Sequence, residues 1–144
     1  MKAALIIASD MHDALAHAAP AKLLGYIPVV AKNAAIAAHF LKVTGFELVI
    51  IHQPTLPGDR RSLAGEIKRT QRSALVILAT DSDAIYAKAR TCFYSGLTAV
   101  LREPLTYKAM WRIVEYERDG FGCHPGWVPA DEERRLSPPF SADH

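Results

Sequence analysis

Five short apolar runs recur along the chain, each separated from the next by a stretch long enough for one helix. They occupy residues 3–8, 26–30, 48–51, 74–79 and 98–101. Most show no alternation of apolar and polar residues, so both faces of such a strand must be covered. That pattern demands a parallel sheet with helices on either side.

The intervening segments carry helix signals. Residues 11–24 are rich in Ala and Leu and stop at Gly25; Pro20 within them predicts a kink or an early end. Pro28 puts the second strand at a sheet edge, because a ring nitrogen cannot donate to a ladder. Asn33 is placed to cap a helix to about Val43, closed by Gly45. Residues 60–72 read as a basic helix, and Asp83 as the cap of a helix through Tyr94, ended by Gly96. Thr106 is placed to cap a last amphipathic helix to about Arg118.

Five βα repeats fill residues 1–118. The economical winding is a doubly wound α/β sheet of order 2-1-3-4-5, with any site outside the carboxyl ends of strands 1, 3 and 4. Those ends carry Ser9-Asp10, His52-Gln53 and Thr80-Asp81. From residue 119 to 144 Pro and Gly accumulate and no apolar period survives, which reads as a tail.

Composition narrows the function classes. The 144 residues include 50% hydrophobic and 22% charged residues, enough to bury a core without staples. A net charge of +2 is too mild to argue for nucleic acid or a membrane surface. Cys92 and Cys123 form no paired motif, so neither a disulfide framework nor a zinc cysteine site is expected, and free thiols suit a reducing cytoplasm. The apolar start is too short for a signal peptide and ends as a strand ends, at Ser9-Asp10.

Several segments resemble the receiver domain of bacterial response regulators. Glu47-Leu48-Val49-Ile50-Ile51-His52 resembles the third-strand signature that leads to the phosphoacceptor aspartate, and Leu56-Pro57-Gly58 the turn after it. Residues 74–80, ending in Thr80, resemble the fourth strand with its hydroxyl residue. Residues 96–104, from Gly96 to Glu103-Pro104, resemble the fifth-strand signature with its Lys-Pro pair. The resemblance implies a flavodoxin-like, CheY-like (βα)5 fold and a part in two-component signal transduction.

The departures fall on the chemistry. The acidic pair after strand 1 is Ser9-Asp10, with Asp13 a turn further on as a poor substitute. The phosphoacceptor position falls on His52 counted along the strand, or on Gln53 counted back from Pro57; neither is an aspartate. The lysine position holds Glu103. Aspartyl phosphorylation needs a carboxylate nucleophile, a divalent cation to gather phosphoryl oxygens, and a cation to meet the developing charge. Asp10, His52, Gln53, Thr80 and Glu103 are therefore expected to form a degenerate phosphorylation pocket, with His52 bonded to a neighbour such as Asp10 or Glu103. The chain is expected to be a pseudo-receiver: no enzyme, no cofactor, no metal, signalling through protein contacts.

Other signals are weaker. Asp10, His12 and His52 at one sheet edge give the alternative of a small-molecule or metal-binding domain, or an enzyme. Asp10-Met11-His12 begins like a cobalamin-binding signature, but Leu15 stands where that signature has glycine. Arg60, Arg61, Lys68, Arg69 and Arg72 read as a solvated helix face. Tyr107, Met110, Trp111 and Val114 form a stripe on the last helix, part of which must be core. The resemblance implies a homodimer face on the fourth helix, fifth strand and fifth helix, where Tyr86, Phe93, Tyr94 and Trp111 would supply aromatic contacts.

Overall fold

A computed structural model describes residues 2–52, 67–86 and 97–118, the last three as backbone only. The tail and the loop holding Gln53 and Leu56-Pro57-Gly58 lie outside the described residues, as do most of the basic segment and Tyr94. The elements are β1 (Lys2–Ile7), α1 (Met11–Leu23), β2 (Tyr26–Ala31), α2 (Ala34–Val43) and β3 (Leu48–His52). After these come β4 (Leu75–Thr80), β5 (Ala99–Arg102) and α5 (Tyr107–Arg118). Residues 67–70 and 83–86 are helical and are labelled α3 and α4.

The five strands form one parallel sheet in the order β2-β1-β3-β4-β5, as the alternation of runs predicts. Pro28 sits on β2, at the sheet edge. The central β3 is buried along its whole length. On one face, Leu5, Ile7, Val49, Ile51, Val76 and Leu78 pack with Ala37 and Leu41 of α2, Ile67 of α3 and Tyr86 of α4. On the other, Ala4, Ile6, Leu48, Ile50 and Ile77 pack with Ala14, Ala18 and Ala21 of α1 and with Ala109, Met110 and Ile113 of α5. The alternate Cβ directions of each strand feed both clusters.

Some local expectations change. Pro20 does not end α1, which continues to Leu23. The ring deprives only the carbonyl of exposed Ala16, close to the helix end, where water can serve it. Ser82, not Asp83, caps α4: its hydroxyl accepts from Ile85 N at 3.2 Å and its carbonyl from Tyr86 N at 3.0 Å. Asp83 instead meets Arg102 at 2.6 Å on the surface. The other N-caps stand as expected, with Asn33 accepting from Ile36 N and Thr106 from Ala109 N, whereas α2 closes at an extended Thr44 and not through a left-handed Gly45. Among the described residues no helix is long and apolar enough to cross a membrane.

Candidate functional site: a histidine and carboxylate cluster at the sheet edge

Three segments end at one place. His52 is the last residue of β3, beside Ala79 of β4. Glu103 follows β5, its backbone N–H donating to the Thr80 carbonyl at 2.9 Å. His17 lies on the buried stripe of α1 with Ala14, Ala18 and Ala21. Alanine at those three positions lets the helix backbone lie close to the sheet, which brings the longer imidazole onto the strand ends. Asp13, one turn before His17, shares its side of the helix.

The side chains meet at hydrogen-bond distances. His52 Nδ1 is 2.6 Å from Glu103 Oε2 and 3.0 Å from His17 Nε2. His17 Nε2 is 3.3 Å from the same Glu103 oxygen. On the other side of the ring, His52 Nε2 is 3.3 Å from Asp13 Oδ2. His17 and His52 are both buried, while Glu103 is mostly covered and Asp13 half-exposed. His17 Nδ1 is buried with no hydrogen-bond partner among the described residues.

Burial and the neighbouring His52 lower the His17 pKa from 6.5 to about 4, against an opposing pull from Asp13. His17 is therefore neutral at pH 7, and its approach to Glu103 is not an ion pair. Burial pushes the Glu103 carboxyl above the usual carboxylate range. His52 opposes that shift, while Asp81 and Asp13 add to it. Two carboxylates, Glu103 and Asp13, thus meet the two imidazoles, and Asp81 adds its negative charge to the field at Glu103.

The expected pocket is partly assembled. His52 and Glu103 are joined, as one of the two expected pairings required. Asp10 is not in the cluster: it is exposed and caps α1, with its carboxylate 3.4 Å from the His12 N–H that donates to it. Asp13, a turn further on, is the α1 carboxylate that reaches His52. Helical geometry explains the exchange, since the cap position points along the axis and position 13 points toward the sheet edge. Thr80 is buried at the end of β4 and accepts from Ser82 N at 3.0 Å. His12 is exposed, so the set Asp10, His12 and His52 does not converge. His17 was not singled out by any motif. The signal that marks it is a polar residue in phase with the alanine stripe of α1.

The proposed aromatic face is also altered. Tyr86 is 7% exposed and belongs to the core, with the Arg102 guanidinium 5.3 Å from its ring centre. Of the α5 stripe, Met110 is core, whereas Tyr107 and Trp111 are 46% and 43% exposed.

No family model and no curated protein matches the chain. Solved structures do. A response regulator protein from Burkholderia pseudomallei with a phosphorylated aspartic acid is 19% identical, with 83% of this chain and 72% of that one covered, at a TM-score of 0.64. A two-component response regulator from Clostridium difficile is 18% identical over 84% of this chain and 98% of its own, at 0.67. A receiver domain dimer activated with beryllofluoride is 21% identical over 83% and 95%, at 0.63. The chain has the receiver-domain fold. At these identities the likeness speaks for the fold alone, and the receiver fold here carries His52 and Glu103 at the strand ends that form its crevice.

Proposed function

We propose that the protein is an atypical receiver that acts in two-component signalling by binding a protein partner, without phosphorylation and without catalysing a reaction of its own. One observation carries this reading: the Glu103 carboxylate lies 2.6 Å from Nδ1 of His52, which with Gln53 is one of the two residues that fall at the phosphoacceptor position. A phosphoryl group placed there would meet a carboxylate where the chemistry needs a cation. Asp13 and Asp81, which act on the same carboxylate, deepen the negative field. Magnesium needs near-octahedral oxygen ligands, and imidazole nitrogens line this position instead. A reducing cytoplasm suits the reading, since that is where such signalling operates.

The test is incubation of the full chain with acetyl phosphate and magnesium, followed by intact mass. The expected mass is unchanged. Stoichiometric addition of a phosphoryl group overturns the reading.

The partner surface we assign is α5, where Tyr107 and Trp111 are exposed. A second copy is one occupant such aromatic groups suit. Light scattering at high concentration should give a dimer mass that Trp111→Glu reduces to a monomer. A monomeric wild-type protein removes the homodimer from the proposal.

A further inference from the structure

The pocket that no longer suits phosphate has a donor set of another kind. Three potential ligand atoms from three separate segments lie close together: His17 Nε2, His52 Nδ1 and Glu103 Oε2. Their mutual distances are 3.0, 2.6 and 3.3 Å. The point equidistant from them lies about 1.7 Å from each, so an ion at a zinc bond length of about 2.0 Å stands roughly 1 Å off their plane. Ligands of a tetrahedral zinc ion are about 3.3 Å apart, so two of the three edges already approach that spacing. Only the His52–Glu103 edge must open, by about 0.7 Å.

The chemistry of the donors narrows the ion. Two imidazole nitrogens and one carboxylate oxygen suit zinc and its late first-row neighbours, and not magnesium or calcium, which take oxygen. The surroundings fit as well. An imidazole bound through Nδ1 carries its hydrogen on Nε2, and His52 Nε2 is 3.3 Å from Asp13 Oδ2. A carboxylate on the far nitrogen is the arrangement that fixes a histidine ligand's ring and tautomer. His17 is held neutral by burial, the form in which its lone pair can bind a cation. Nothing among the described residues bonds its Nδ1, so that atom can keep the hydrogen and leave the Nε2 lone pair for the ion. Asp13 is half-exposed and gives a negatively charged approach to the cluster.

We propose that His17 Nε2, His52 Nδ1 and Glu103 Oε2 bind a late first-row divalent cation of the zinc class, with Asp13 as the positioning carboxylate behind His52. Three protein ligands leave a fourth position for water or an incoming donor. The ion ties α1 to the ends of β3 and β5, so its binding and release act on the junction of helix and sheet. Its use as a signal rests on the signalling reading above; the binding itself does not.

The experiment uses the full chain, stripped with a chelator and dialysed. Zinc is titrated by calorimetry and cobalt by its visible absorption. One ion per chain and a four-coordinate cobalt spectrum are expected. His17→Gln and Glu103→Gln should each weaken binding by about a hundredfold or more, and Asp13→Asn by about tenfold. His12→Ala, outside the cluster, should leave it unchanged. Glu103→Gln keeps the test open should His17→Gln fail to fold. Nitrogen-15 spectra of the histidine rings should place the hydrogen of His52 on Nε2 in the zinc form. Absence of binding to the wild-type chain, or binding that survives His17→Gln and Glu103→Gln, overturns the proposal. That failure would leave the acetyl phosphate result standing by itself, and the two readings are thereby separable.

Discussion

Ile50→Ala is expected to cost about 4 kcal/mol of folding stability, near the upper part of the usual range for large-to-small core changes. Ile50 is fully buried on β3, the central strand, with Ile6 and Ile77 in the cluster beneath α1 and α5. The cost has two parts, lost transfer of the removed carbons and the cavity they leave. Relaxation is restricted here. The α1 face over the sheet is made of Ala14, Ala18 and Ala21, which have no length to swing into a void. Val43→Ala, at a site 67% exposed, should stay within about 0.5 kcal/mol of wild type and serves as the control. Urea unfolding of both variants checks this; a loss under about 1 kcal/mol at Ile50 would show that the sheet and α1 can close the gap.

Acid should remove a second large share of stability through His17. Its folded pKa of about 4 lies below the unfolded value of 6.5. Between those values the unfolded chain holds a proton at His17 that the folded chain does not. Stability from this group is therefore complete above about pH 6.5 and is lost as pH falls toward 4, by about 3 kcal/mol at most. Glu103 works in the opposite direction, because its raised pKa lets the folded state take up a proton before the unfolded one does. The comparison with His17→Gln separates the two. In the presence of chelator, the wild-type chain should lose more stability than the variant between pH 6.5 and 4. Parallel pH profiles would show that His17 is not held neutral by the fold.

The fold was legible because the runs at 48–51 and 74–79 admit one reading: strands this apolar and this short need cover on both faces. The helix caps at Asn33 and Thr106 were legible for a local reason, since a cap acts within three residues. The pairing of His52 with Glu103 was within reach because both residues end strands, and strand order fixes which ends are neighbours. His17 was not within reach in the same way. Its role depends on how closely α1 lies on the sheet, which is a property of packing, and the alanine stripe that sets it gives no chemical signature. The choice of Asp13 over Asp10 is of the same kind, decided by the direction of side chains around a helix axis.

The doubly covered centre of the sheet has a consequence outside the folded state. The stretches at 48–51 and 74–79 have high strand propensity, no charge and no proline. Both lie wholly or almost wholly hidden in the native chain, so nothing in the fold itself needs to blunt them. During synthesis or unfolding the same residues become adhesive segments able to pair with copies of themselves. Charge stands at their borders: Glu47 before the first, Arg72 before the second and Asp81 just beyond it. Charges in such flanking positions oppose the pairing of exposed strands, the placement by which gatekeeper residues work.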